Sequence, residues 1–434
     1  MGSRVAVTVC RQEWCARAVR WRACESMRRR ARQSVGLMVC GAMMACGLWL
    51  AAAPVHAALP EPLAARERAH DWSGLLREAD NILAGASLSL ADMADVQEAR
   101  ARALLEAQRP EEALAAAGVA LDAVPDHTQA LVARGMAHLA LGHGQEAEDD
   151  FLKATRAPDM PWQAMAGLGA LERGRGRVDL ALAWYAKAVQ ANANDVDLRL
   201  EQAMLLWEAG HGGDALAALD QLQQLAPQRA DIFNDRGMMR LRMGDAEGAL
   251  RDFDLALKVS PNLPEALLNR GNLLRGRGAL DKAMADYDTA LAQDPGHTRL
   301  LVARSYAWMA QGRYDKARMD LGAALAVGSL DAYVLNELAW FLATCPEAGY
   351  RDGKRAVSLA SEAIELSLIP SPGHYDTLAA ALAEAGRYED AAEAEAVALQ
   401  SAAGGPSGMV QAWQERLALY RANRPYHQQM PARK

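Results

Sequence analysis

"GALDKAMADYDTALAQDP" (Gly278–Pro295) opens on a glycine and closes on a proline, with small and apolar residues on one helical stripe and charges on the other. Whether it is one helix of a core or one instance of a recurring unit decides the fold. Stepping back 34 residues from Ala283, Tyr287, Ala290 and Pro295 gives Ala249, Phe253, Ala256 and Pro261, the same residue classes in register. Earlier steps give Ala215, Leu219, Leu222 and Pro227, then Ala181 with Tyr185, Ala147 with Phe151, and Ala113 with Ala117 and Pro125. Forward, Ala317 continues the series with Leu321 and Ala324. A preceding helix repeats in step, its small residue being Ala101, Gly135, Gly169, Ala203, Gly237, Gly271 and Ser305. The turn between the two helices carries Gly142, Gly176, Gly210, Gly244, Gly278 and Gly312.

Each recurring position has a mechanical role. Small residues on both helices let them approach closely, and the large residue four places after each alanine fills the space between units. Glycine supplies a left-handed turn and proline stops the second helix. One such pair cannot bury its apolar face, so neighbours must stack. At these residues the chain resembles the tetratricopeptide repeat family, whose unit is a 34-residue helix–turn–helix. The resemblance covers residues 94–399 and implies an all-α fold, a right-handed superhelical solenoid of about nine antiparallel helix pairs serving as a protein-interaction scaffold. The chain departs from the family at Arg134, Arg236 and Arg270, which stand where a large first-helix residue is usual. The period breaks once: Ala356 follows Ala317 by 39 residues, placing an insertion near 345–353, and Ala391 follows 35 later. Asp352 in that inserted turn reads as the cap of the next helix.

The remaining segments frame the array. Residues 58–93 read as a linker and an N-terminal capping helix, over about 62–86. Residues 400–434 read as a capping helix, with Val410, Trp413, Leu417 and Tyr420 on one face, followed by a loose polar tail. Residues 1–57 read as an address. Arg28, Arg29, Arg30 and Arg32 precede an uncharged run from Val35 to Ala53, then Val55-His56-Ala57. The expectation is a signal peptide cleaved after Ala57, giving a periplasmic or secreted protein of the cell envelope. An uncleaved inner-membrane anchor facing the periplasm is the alternative, and Met27 rivals Met1 as the start. Beyond residue 57 the chain holds 38 Lys+Arg against 52 Asp+Glu, a balance of −14, which disfavours a nucleic-acid partner. Five of the six cysteines precede that point; Cys345 alone follows, so no internal disulfide is available to the exported part.

The resemblance also implies that first helices line a groove. The positions facing it are Met136, Leu139, Met204, Trp207, Asn234, Met238, Asn272, Arg275, Arg299, Tyr306, Met309, Tyr333, Asn336 and Trp340. Methionine adapts to varied apolar partners, and Trp, Tyr and Arg are the residue types enriched at binding hot spots. Asparagine could pair the backbone of a bound peptide. Some of these positions would instead be core between repeats. No lysine occurs among them, so the family's clamp for a C-terminal carboxylate is missing.

No chemistry competes with this reading. "RGRGR" (Arg173–Arg177) and "RGRG" (Arg275–Gly278) sit on repeat turns with no preceding strand and no following Lys-Ser/Thr, so they are turn glycines rather than a nucleotide site. His138 and His143 do not share a helical face, which argues against a metal site, and Asp149–Asp150 read as a solvated surface. No nucleophile–base–orienter set can be drawn. The expected function is therefore a non-catalytic scaffold or adaptor without cofactor or metal, binding a protein or peptide partner. The alternatives are a structural subunit of an envelope assembly or secretion machine, working through its convex face and ends, and an accessory subunit of a separately encoded enzyme.

Overall fold

A computed structural model describes residues 59–85, 87–158, 161–328, 330–402 and 407–429. Among them all regular structure is helical. The address at 1–57 lies outside the described residues. The chain divides into two compact units, one ending at Pro227 and the other beginning at Gln228.

The first unit starts with α1 (Glu61–Arg68) and α2 (Trp72–Gly85). Four helix pairs follow: α3 (Leu90–Glu106) with α4 (Pro110–Ala123), α5 (Thr128–Ala140) with α6 (Gly144–Ala154), α7 (Trp162–Gly174) with α8 (Val178–Ala191), and α9 (Val196–Glu208) with α10 (Gly212–Leu225). The single capping helix expected over 62–86 is thus two helices. His70 turns the chain in the left-handed region at φ 53°, and the Asp71 carboxylate accepts the Gly74 N–H at 2.8 Å to start α2.

The second unit holds five pairs and a final helix. These are α11 (Ala230–Arg242) with α12 (Ala246–Val259), α13 (Pro264–Gly276) with α14 (Leu280–Leu291), α15 (Thr298–Ala310) with α16 (Tyr314–Val327), α17 (Ala332–Thr344) with α18 (Gly353–Leu366), α19 (Pro372–Glu384) with α20 (Tyr388–Ser401), and then α21 (Ser407–Arg421). Asp352 accepts the Arg355 N–H at 3.0 Å and so caps α18.

The recurring residues explain the packing within each pair. All nine second-helix alanines from Ala113 to Ala391 are fully buried. A Cβ placed on Gly237 would lie 2.7 Å from the Phe253 ring, and one on Gly271 2.5 Å from the Tyr287 ring. The large second-helix side chain therefore lies directly on the small first-helix residue. The inter-helix turn at Gly244 takes φ 88° and is closed by the Asp245 N–H donating to the Arg240 carbonyl at 2.9 Å. The same closure in the first repeat is carried by Gln108 at φ 58°, a side chain where later repeats have glycine.

The first-helix arginines do not weaken the repeat. Arg134, Arg236, Arg270 and Arg304 each fork onto an aspartate sixteen residues later on the second helix, Asp150, Asp252, Asp286 and Asp320, with shortest distances of 2.5–2.7 Å. Asp150 is therefore a buried partner of Arg134 rather than a solvated surface residue. In the third pair the same two positions are Leu168 and Trp184, which join one apolar cluster. Cys345 is buried at the end of α17, and burial pushes its thiol up, away from nucleophile chemistry.

Candidate functional site

In each unit successive first helices pack side by side: α3, α5 and α7 in the first, and α11, α13, α15, α17 and α19 in the second. Residues facing along this row are the candidates for contact with a partner. The structure sorts them by what already occupies them.

In the first unit Met136 and Leu139 are buried among Leu131, Phe151 and Leu168, so they are core between repeats and do not line an open groove. Met204 and Trp207 on α9 stay half-buried. Arg173 donates to Glu201 at 3.1 Å and to Glu208, linking α7 to α9. His138 and His143, on different helical faces, are nevertheless brought by the turn to an Nδ1–Nδ1 distance of 3.3 Å. No third His, Cys, Asp or Glu among the described residues completes a metal set with them.

In the second unit the polar groups are largely spent on one another. Asn234 is buried; its Oδ1 accepts from Asn269 Nδ2 at 2.9 Å and its own Nδ2 donates to Asp235 at 3.3 Å. The Asn272 Oδ1 accepts the Tyr287 hydroxyl at 2.9 Å. These two asparagines are therefore engaged, contrary to a role as free grips on a peptide backbone. Met309 is core, while Met238 is half-buried. Burial pushes Asp235 up to about 6, with Asp231 adding to the shift.

What remains open gathers where α13, α15 and α17 meet. The Arg275 guanidinium stands 5.4 Å from the Tyr306 ring centre, and the Tyr306 hydroxyl donates to Glu337. Asn336 Nδ2 reaches the other Glu337 oxygen at 3.4 Å. Burial raises both Tyr306 and Glu337 above their ordinary values. Beside this layer Tyr333 is 42% exposed and Arg299 is exposed. Burial pushes the Tyr333 hydroxyl up to about 12, so it stays a neutral donor at neutral pH. Trp340 is half-buried beneath the C-terminal segment, whose Tyr426 ring lies 6.0 Å away. That segment is docked rather than loose.

Asp235, Asn269 and Glu337 escaped the reading of groove positions, although a signal exists. Together with Glu201 they form a column at intervals of 34, interrupted by Ala303. Glu201, Asn269 and Glu337 each meet a side chain from the preceding first helix.

Sequence models of a known repeat family agree with this architecture. Tetratricopeptide repeat models match residues 98–161, 133–196, 200–264 and 234–298, and a second such model matches 274–334. No curated protein matches the chain. Among solved structures, a tetratricopeptide repeat protein from Parabacteroides merdae is 17% identical over 67% of this chain and 98% of its own, with a TM-score of 0.45. Yeast Tom70 is 12% identical over 84% and 95%, with a TM-score of 0.47. YrrB, described as having an unusual peptide-binding site, is 26% identical over 44% and 95%, with a TM-score of 0.33. With its nine described helix pairs and repeat models matching more than half of its length, the chain belongs to the tetratricopeptide repeat family of protein-interaction scaffolds.

Proposed function

We propose that this protein is a non-catalytic adaptor of the cell envelope that holds a segment of a protein partner on the first-helix face of its second unit. The observation that carries the reading is the layer Arg275–Tyr306–Glu337 with Tyr333 and Arg299 open beside it. The layer is bonded internally through Tyr306, Glu337 and Asn336, and the exposed tyrosine and arginine stand beside it. Those are the side chains that contribute most when an interface closes over them. An acidic chain body supports a protein rather than a nucleic-acid partner. Export rests on the arginine-led apolar segment ending at Ala57. Among the described residues no helix is long and apolar enough to cross a membrane.

The test is cross-linked affinity capture from the cell envelope, comparing the wild-type chain with Arg299→Ala/Tyr333→Ala. Both side chains project from the packed layer, so the variant should keep its helicity. Loss of one or a few proteins from the variant's capture is the expected result. An unchanged capture list refutes the reading.

A second reading, a structural subunit working through its edges, is favoured by one observation. Val327 at the end of α16 and Leu330, Leu368 and Ile369 on the turns leading into α17 and α19 are 42–89% exposed. Ile369→Lys with Leu330→Lys would then remove a captured partner that Arg299→Ala/Tyr333→Ala leaves in place.

A further inference from the structure

After α21 the chain turns at Asn423, φ 54°, with the Arg424 N–H closing onto the Leu419 carbonyl at 3.0 Å. Pro425 then directs it back across the ends of two first helices. Pro425, Tyr426, His427 and Gln428 are half-buried, whereas Asn423, Arg424 and Gln429 on either side are exposed. Three kinds of contact hold the four residues. The Tyr426 ring and the Trp340 ring of α17 lie side by side, 6.0 Å apart, against the Arg416 guanidinium, at 5.1 and 5.4 Å from its carbon. His427 Nε2 meets the Glu384 carboxylate of α19 at 2.7 Å, and the other oxygen of Glu384 takes Arg351 at 2.9 Å. The Gln428 N–H donates at 2.8 Å to the carbonyl of Thr344, the last residue of α17.

Every part of this seat belongs to the folded repeats and their cap, not to the tail. Arg416 is fixed by two bonds to Asp376, at 2.7 and 3.1 Å. Thr344 ends its helix, so its carbonyl has no partner within α17 and needs an outside donor. The cap has its own buried anchors, Trp413 and Tyr420, upstream of the tail. We propose that Pro425–Gln428 is a displaceable internal ligand, and that its seat on Trp340, Arg416, Glu384 and Thr344 is a binding site for an extended peptide carrying an aromatic residue followed by a cationic or imidazole one. The aromatic ring packs beside Trp340 against Arg416, and the carboxylate selects the next side chain by charge and hydrogen bonding. The helix-end carbonyl reads the backbone two residues after the aromatic. This site does not depend on the Arg299–Tyr333 reading, and its test needs no external partner.

The probe is a fluorescein-labelled peptide with the sequence of residues 423–429, followed by anisotropy against the purified full chain and its Tyr426→Ala variant. In the variant the internal ligand lacks its ring and releases the seat. Expected is binding about tenfold tighter to Tyr426→Ala than to wild type, because a tail seated roughly nine-tenths of the time leaves one site in ten open. Replacing the peptide's tyrosine by alanine should abolish binding. Adding Glu384→Gln to the receiving chain should weaken it, and adding Trp340→Ala should remove it. Equal affinity for the two chains overturns the proposal, as does binding that ignores Trp340 and Glu384. Hydrogen exchange on Tyr426→Ala provides the control. Protection retained in α19–α21 supports a displaceable ligand, whereas its loss would make the tail a structural clamp and refute the idea.

Discussion

The Arg–Asp fork inside four of the repeats has an apolar counterpart within the same chain. Arg236 and Asp252 are 5% and 1% exposed and 2.5 Å apart, with Arg240 adding a third group at 2.7 Å. Removing one member of such a pair strands a buried charge, whereas replacing the pair by apolar groups of similar volume can be neutral. Asp252→Ala should therefore cost about 3–5 kcal/mol in chemical denaturation. Arg236→Leu with Asp252→Trp, copied from Leu168 and Trp184, should recover most of that loss. A double variant as unstable as the single one would show that the fork contributes more than burial and volume. A smaller effect belongs to Gln108, exposed and held at φ 58°. Left-handed backbone costs a side-chain-bearing residue about 1 kcal/mol relative to glycine, so Gln108→Gly should raise stability by about that amount.

At the scale of the element, the last helix pair closes differently from the others. The slot four places after Ala391, filled elsewhere by Phe151, Tyr185 or Phe253, holds Glu395 with no exposed surface. It faces Asp376 from α19 and Arg416 and Tyr420 from α21, with Arg416 at 3.8 Å. Burial, reinforced by the charge of Asp376, pushes Glu395 up to about 9. The folded protein therefore keeps a proton that the unfolded chain releases near pH 4.5. Through this group stability is greatest below that pH and falls as pH rises towards about 9. Glu395→Gln mimics the protonated form. Thermal unfolding of the variant should lose this decline and gain about 1–3 kcal/mol at pH 8. An unchanged pH profile would mean that Glu395 is ionised in the folded state. The polar slot also explains how the array ends: the Asp376 carboxylate beside it is paired by Arg416, and Arg416 comes from the cap.

Within each unit, neighbouring helix pairs stack on one another, so stability is shared locally. The damage from Asp252→Ala should then be confined. Hydrogen exchange should show lost protection in α11–α14 with α3–α8 unchanged. Uniform loss across both units would mean that the chain unfolds as one cooperative block. Export has its own check at this scale, the mass of the protein recovered from cells. A chain starting at Ala58 supports cleavage, and a retained leader supports an anchor.

Periodicity is a local property, and it is the part of the fold that the sequence by itself determined. Helical spacing fixes which side chains share a face. The alanine series, the turn glycines and the prolines therefore announce helix pairs, their number and their close approach before any contact is known. The sixteen-residue spacing of arginine and aspartate also recurs with the repeat, as does the polar column from Glu201 to Glu337. Spacing alone, however, reads Asp150 as a solvated surface residue, and only packing shows it buried on Arg134. Only the tertiary structure decided which first-helix residues are still available. Asn272 spends its oxygen on Tyr287, Met136 and Leu139 lie between repeats, and Trp340 lies under Tyr426. The contacts that dock the tail join Arg416 to Asp376 and His427 to Glu384, forty or more residues apart and outside the period. No repeat pattern encodes them, because they depend on where a non-repeating end of the chain folds back onto a repeating body.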